Sequence, residues 1–158
     1  MKKILLIDDS DTYTWCLKIY LQHRGYPVKT ACTLKEARAA IQEEMPLVVC
    51  CDLDLPDGSG MDFLDEVRAA DKELPFILAS CHDKDDYEQE VMRRGATLCM
   101  DKMKGQLVQD KLVEYAYRQL SGEKAPTFHK LLFVHTEDTN AEVLRAAMLQ
   151  KGFDLILV

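Results

Sequence analysis

LVVCCDLDLPDGSG, residues Leu47 to Gly60, decides how this chain is read. It opens as an unbroken apolar run, Leu47 to Cys51, which suits a strand buried on both faces of a parallel sheet. The run stops at Asp52. A carboxylate at the C-terminal end of such a strand stands where open α/β sheets hold ligands. Asp54 and Asp57 follow, with Pro56 and two glycines before the next helix. Taken alone, the stretch reads as a reactive or metal-binding carboxylate or as a solvated turn, since Asp, Pro and Gly are ordinary turn residues. The flanking chain separates the two.

Upstream, Ile4 to Ile7 is a short apolar run that ends at Asp8-Asp9. Tyr13, Cys16, Leu17, Tyr20 and Leu21 then recur at the spacing of one helical face. Ser10 or Asp11 can cap this helix, and Gly25 closes it. Trp15 and Ile19 lie four apart but off that face, as extra core or as an apolar patch for a partner helix. Tyr26 to Ala31 reads as a second strand. Thr33 begins a helix with Glu36 at capping-box spacing, its buried face being Leu34, Ala37, Ala40 and Ile41. Downstream, a helix over Asp62 to Ala70 buries Phe63, Leu64 and Val67. A strand over Phe76 to Ala79 ends at Ser80-Cys81. A polar helix spans Asp83 to Arg94 and stops at Gly95. Thr97 to Met100 is a fifth strand ending at Asp101-Lys102. A last helix, about Gln106 to Leu120, has Leu107, Leu112, Val113 and Ala116 among its apolar positions. Five strand-helix units in a row predict a doubly wound parallel α/β sheet with helices on both faces.

In such a sheet all strand C-termini reach one edge. Asp8, Asp9, Asp52, Ser80 and Lys102 stand there. Crowded carboxylates raise one another's pKa unless a cation sits among them. An oxygen-only donor set suits Mg²⁺, Lys102 supplies a fixed positive charge, and Ser80 supplies a neutral donor. That inventory fits phosphoryl transfer to a carboxylate nucleophile. Asp52, alone at the end of the most buried strand, is the best candidate.

These residues resemble the receiver domain of bacterial two-component response regulators, over residues 1 to about 120. The resemblance rests on Asp8-Asp9, the block Asp52-Leu-Asp-Leu-Pro56-Asp-Gly-Ser-Gly60, Ser80 and Lys102. It implies a flavodoxin-like five-stranded sheet of order 2-1-3-4-5. It implies that Asp52 is the phosphoacceptor for a sensor histidine kinase, a phosphotransfer protein or a small phosphodonor. Asp9, Asp52 and the main-chain carbonyl of Asp54 would bind Mg²⁺ (or Mn²⁺), with Asp8 in support. Ser80 would be the switch hydroxyl and Lys102 the phosphoryl partner. A homodimer through the face of the fourth helix, fifth strand and fifth helix is a further expectation. No enzymatic turnover is implied beyond Mg²⁺-assisted self-phosphorylation and self-dephosphorylation.

Three departures stand out. Met103 follows the lysine where the family usually has proline, which would loosen the loop aiming Lys102. Cys99 stands where many members carry the aromatic partner of the switch hydroxyl. Asp54 stands at the cleft mouth two residues beyond Asp52, His82 at the corresponding rim position on the other side two beyond Ser80, and the two are expected to tune the lifetime of the phosphoryl group. Two rival readings follow. One is a pseudo-receiver, a pure interaction module without phosphorylation. The other is a haloacid-dehalogenase-type phosphatase, suggested by Asp52-Leu-Asp54, whose signature breaks after Asp54.

Of the 158 residues 47% are apolar, and the net charge of −7 argues against a general nucleic-acid surface on this fragment. No apolar run is long enough to span a membrane, and MKKILLIDD lacks the pattern of a signal peptide, so a cytoplasmic location is expected. The six cysteines form no CxxC pair and read as small buried hydrophobes in a reducing compartment. After a polar linker at 121–129, residues 130–158 repeat the start of the chain: Lys130 falls on Lys3, a constant offset of 127. Val143, Leu144, Ala147, Met148 and Gly152 reproduce the first helix face and its closing glycine. His135 and Thr136 replace the acid pair. This reads as a β-α-β fragment, the truncated start of a second, degenerate receiver-like domain.

Overall fold

The computed structural model describes residues 2–82, 87–122, 129–133 and 153–157. In chain order the elements are β1 (Ile4–Ile7), α1 (Asp11–His23), β2 (Val28–Ala31), α2 (Leu34–Glu43), β3 (Val48–Cys51), α3 (Gly60–Ala70), β4 (Phe76–Ser80), α4 (Glu88–Arg93), β5 (Leu98–Asp101) and α5 (Gly105–Ser121). The sheet is parallel throughout and runs β2-β1-β3-β4-β5. The first strand in the chain, β1, therefore lies between β2 and β3, with Ile7 opposite Cys51. That register brings Asp8 and Asp52 to the same edge.

The period of two along each strand splits the core into two layers. Leu5, Ile7, Val49, Cys51, Phe76 and Leu78 point one way, onto Ala37 of α2, Phe63 and Leu64 of α3, and Val91 of α4. Ile4, Leu6, Val48, Cys50, Ile77 and Ala79 point the other way, onto Leu17 and Leu21 of α1 and Leu112 and Ala116 of α5. Each large side chain removed from water in this way stabilises the fold by about 1.5–3 kcal/mol.

Local signals set most element ends. Ser10 caps α1 by accepting the Tyr13 amide, and Gly25 leaves it at φ +82°. Thr33 Oγ1 accepts from Glu36 N, while Glu36 Oε2 accepts from Cys32 N, one residue before the capping-box position. The second strand starts at Val28, not Tyr26, because Pro27 contributes only its carbonyl, to Ile4 N. The third helix begins two residues early, at Gly60 with Ser59 as its cap. Of the polar fourth helix, 88–93 is helical, and residues 83–86 of the expected span lie outside the described residues.

Two side chains expected on buried helix faces are exposed. Cys16 faces solvent while Thr14 takes a buried place on α1, and Leu107 faces out while Val108 is buried. Cys32 and Cys81 are exposed too, so the reading of all cysteines as buried holds for Cys50, Cys51 and Cys99 alone. Trp15 and Ile19, 63% and 49% exposed, form an outward apolar pair on α1.

The chain divides into two compact units, Met1–Glu123 and Lys124–Val158. In the second, β6 (His129–Phe133) pairs in parallel with β7 (Phe153–Leu157). The expected helix between them lies outside the described residues. Among the described residues no helix is long and apolar enough to cross a membrane.

Candidate functional site

The strand ends deliver Asp8, Asp9, Asp52 and Lys102 to one cleft. One carboxylate oxygen from each acid lies within 4.8 Å of the others. Lys102 Nζ bridges Asp8 Oδ2 at 2.5 Å and Asp52 Oδ2 at 2.6 Å, with all three side chains largely out of solvent. The other oxygens are held by backbone: Asp8 Oδ1 accepts from Ser10 N at 2.9 Å, and Asp52 Oδ1 from Leu53 N at 2.7 Å. Burial pushes the Asp8 carboxyl above its ordinary pKa, even against the pull of the Lys102 hydrogen bond and charge. Burial alone would lower Lys102, but its hydrogen bonds to Asp52 and Asp8 outweigh it and leave the ammonium raised. Three carboxylates and one ammonium leave an excess of two negative charges when all are ionised. A hard oxygen donor set of that charge fits a divalent cation such as Mg²⁺.

The loop beyond β3 is built around Asp52. Asp54–Leu55 and Gly58–Ser59 form a two-residue antiparallel ladder that turns the chain back. Gly60 N then donates to Leu53 O at 2.7 Å. A Cβ at Gly60 would overlap the Asp52 carbonyl oxygen, so only glycine lets α3 start this close to the acid.

Ser80 closes β4 at 1% exposure, and its Oγ accepts from His82 N at 3.2 Å. His82 and Asp54, expected on opposite sides of the rim, meet: Nε2 and Oδ2 are 2.6 Å apart, both side chains mostly in solvent. Asp57, which the sequence reads as turn, does something else. Its two oxygens accept from Leu34 N and Lys35 N at 2.8 and 2.9 Å, a cap on α2 from 22 residues away. Those amides hold its carboxyl below the ordinary range.

Sequence reasoning missed two contributors. The Tyr13 ring lies 5.0 Å from Lys102 Nζ, a cation–π contact. Burial, then the nearby Cys50 and Asp8, drives its phenol well above the usual value. Asp101 Oδ1 accepts from Met103 N at 2.8 Å and caps a 3₁₀ turn over Lys102–Lys104. Only Asp101 had a local signal, an acid two residues before the amide it caps.

Residues 4–114 match the Response regulator receiver domain. The chain belongs to the response regulator receiver family. It is 29% identical over 96 residues to the virulence transcriptional regulatory protein PhoP of Salmonella typhimurium, covering 61% of this chain and 43% of PhoP. It is 29% identical over 91 residues to the regulatory protein LuxO of Vibrio vulnificus, covering 58% of this chain and 20% of LuxO. The chain thus spans less than half the length of these curated relatives. Among solved structures, the receiver domain of NtrX from Brucella abortus is 28% identical with a TM-score of 0.65, over 77% of this chain and 100% of that one. The beryllofluoride-activated NtrC4 receiver domain dimer is 28% identical with a TM-score of 0.64, over 73% and 99%. As a receiver, the domain is a two-component signalling module, and its acid cleft is the part of the fold that the sheet edge builds from separate strands.

Proposed function

We propose that this receiver is phosphorylated on Asp52 and switches an output by a change of shape. The observation that carries the reading is the Asp8, Asp9, Asp52 cluster bridged by Lys102 at the C-terminal edge of the sheet. An Asp52 carboxylate oxygen forms the new P–O bond as the donor's bond to phosphorus breaks, and the donor keeps the electron pair. The donor is a sensor histidine kinase, a phosphotransfer protein or a small phosphodonor. Lys102 already touches Asp52 and turns its charge to the arriving phosphoryl oxygens. Ser80 turns its hydroxyl to the same group. Asp8, Asp9, Asp52 and the Asp54 carbonyl would hold Mg²⁺ or Mn²⁺, which supplies charge neutralisation for the transfer. No separate catalytic turnover is assigned to the domain.

The His82–Asp54 pair spans the mouth and tunes how long the phosphoryl group lasts, by standing in the path of the attacking water. An unchanged lifetime in both His82→Ala and Asp54→Ala removes this role. Exposed Met92, Met103 and Leu107 lie on α4, the turn after β5, and α5, and they support a homodimer through that face.

Acetyl phosphate with Mg²⁺ tests the main reading by intact mass. One phosphoryl group on the wild type and none on Asp52→Asn is expected. An unlabelled wild type would instead support a pure interaction module, and sustained phosphomonoester turnover a phosphatase.

The second unit is read as the start of a degenerate second receiver. What supports this is register: Leu131 pairs with Leu155 as Ile4 pairs with Val28, and both partners are offset by 127. His135 and Thr136, at the acid-pair positions, make that copy unsuited to Mg²⁺.

A further inference from the structure

Tyr87 stands immediately before α4, 7% exposed, among the side chains that α4 packs on the sheet. Its neighbours in that layer include Leu78, Val91, Ala96 and Cys99. Its hydroxyl is buried and, among the described residues, closes no hydrogen bond. It nevertheless lies close enough to Ser80 and Cys99 for both to act on it: burial, the largest influence, pushes the phenol up to about 12 against the pull of an incipient hydrogen bond with Ser80. A buried hydroxyl without a partner costs stability, and phenylalanine would fill the same space without that cost. The hydroxyl therefore serves a state other than the resting one.

The sheet register shows what leaves room for it. Leu78 pairs with Cys99 and Ser80 with Asp101, so Cys99 points from β5 into the layer that Tyr87 enters from α4. A large side chain at Cys99 would compete for that volume. The small residue on β5 and the large one on α4 are complementary.

We propose that Tyr87 reads the state of Ser80. When the Ser80 hydroxyl turns to a phosphoryl group on Asp52, the Tyr87 phenol donates to Ser80 Oγ and draws the start of α4 with it. A serine oxygen has one hydrogen and two lone pairs. At rest one lone pair takes the His82 amide. Once its hydrogen is committed to a phosphoryl oxygen, the second lone pair is fixed in direction and is strengthened as an acceptor by the chain of bonds. Tyr87 thus acts as a positioning residue, coupling the site to α4 from the helix side, where Cys99 cannot. The proposal rests on the phosphoacceptor reading of Asp52.

The test uses the full chain, ¹⁵N-labelled, with Mg²⁺ and beryllofluoride as the phosphoryl mimic. Two amide groups are followed: Asp52 and Leu53 for binding, and Glu88–Arg93 with Leu98–Asp101 for the relay. In the wild type both groups shift. In Tyr87→Phe the Asp52 and Leu53 shifts persist. The population that makes the α4 and β5 response falls about five-fold, the factor one net hydrogen bond supplies. Tyr87→Phe also melts no lower than the wild type without the mimic, because it loses an unpaired hydroxyl. A full α4 and β5 response in Tyr87→Phe overturns the relay alone, as does a lower resting melting point, which would mean the phenol was already bonded. No shift at Asp52 in the wild type overturns the phosphoacceptor reading as well.

Discussion

Replacing Gly60 by alanine perturbs the site through one methyl group whose position is known. The added Cβ would overlap the Asp52 carbonyl oxygen and sit 3.0 Å from its carbon and 3.2 Å from Cys51 Sγ. Ordinary carbon contacts begin near 3.4 Å. Restoring them needs roughly 1 Å or more of backbone movement. Neither side yields freely. Asp52 N is tied to Ile7 O at 2.8 Å, and Gly60 N to Leu53 O at 2.7 Å. Overpacking of this kind costs about 1–3 kcal/mol, and the upper end applies where backbone rather than a flexible side chain must move. With an m-value near ~1.5 kcal/mol/M, a loss of ~3 kcal/mol lowers the urea midpoint by about 2 M. The displaced loop also carries Asp52 and the Asp54 carbonyl. A misplacement of ~1 Å at a reacting group slows a step by about 100-fold, so labelling by acetyl phosphate should slow on that scale. Gly105→Ala is the matched control. A Cβ there meets nothing within 4 Å, and its φ of −50° and ψ of −41° are helical. Alanine at Gly105 should stabilise by about 0.4–1 kcal/mol and leave labelling alone. A Gly60→Ala protein with the wild-type midpoint and labelling rate refutes the close-approach argument.

Lys102→Met leaves Asp8 and Asp52 without their cation. Urea unfolding should show a loss toward the lower end of about 3–5 kcal/mol, since Asp52 keeps some solvent, and Asp52 labelling should disappear. Asp57→Ala removes the cap on α2. Its folded pKa lies below the reference 3.8, so its stabilisation is present above 3.8 and is lost as pH falls through the folded value. The melting point of Asp57→Ala should thus trail the wild type at pH 7 and converge with it in acid, with labelling unaffected at neutral pH. Mg²⁺ at 100 times its dissociation constant should stabilise the wild type by about 2.7 kcal/mol in calorimetry. Asp9→Asn should lose most of that gain; an equal gain in the variant would move the cation away from this cluster.

The acids and the lysine were legible because a parallel sheet converts chain position into place. Each stands just after an apolar run, and every such run ends at the same edge. Helix faces were less legible. Periodicity groups Cys16 with Leu17 but does not say where the buried sector ends, so Cys16 and Leu107 fell just outside it. Asp57 and Tyr13 were illegible for a different reason. Asp57 acts on amides 22 and 23 residues away, and Tyr13 on a lysine 89 positions on. A turn residue and a core aromatic look the same in sequence whether or not they serve such contacts.

Met103 shows how a departure from the family pattern is absorbed. Proline at that position would fix the chain by its ring and offer no amide hydrogen. Methionine offers one, and Asp101 Oδ1 takes it at 2.8 Å, so a side-chain cap orders the turn that a ring would otherwise constrain. The expected loosening of Lys102 is further opposed from its own side chain outward. Two carboxylates hold Nζ, and the Tyr13 ring stands 5.0 Å from it. The Met103 side chain, 81% exposed, plays no part in this. Removing the cap by Asp101→Ala should therefore mobilise the 102–104 amides in ¹⁵N relaxation. The Lys102 bridge should survive, because it is held by charge rather than by the turn. A bridge lost together with the cap would mean that the turn, and not the acids, aims the lysine.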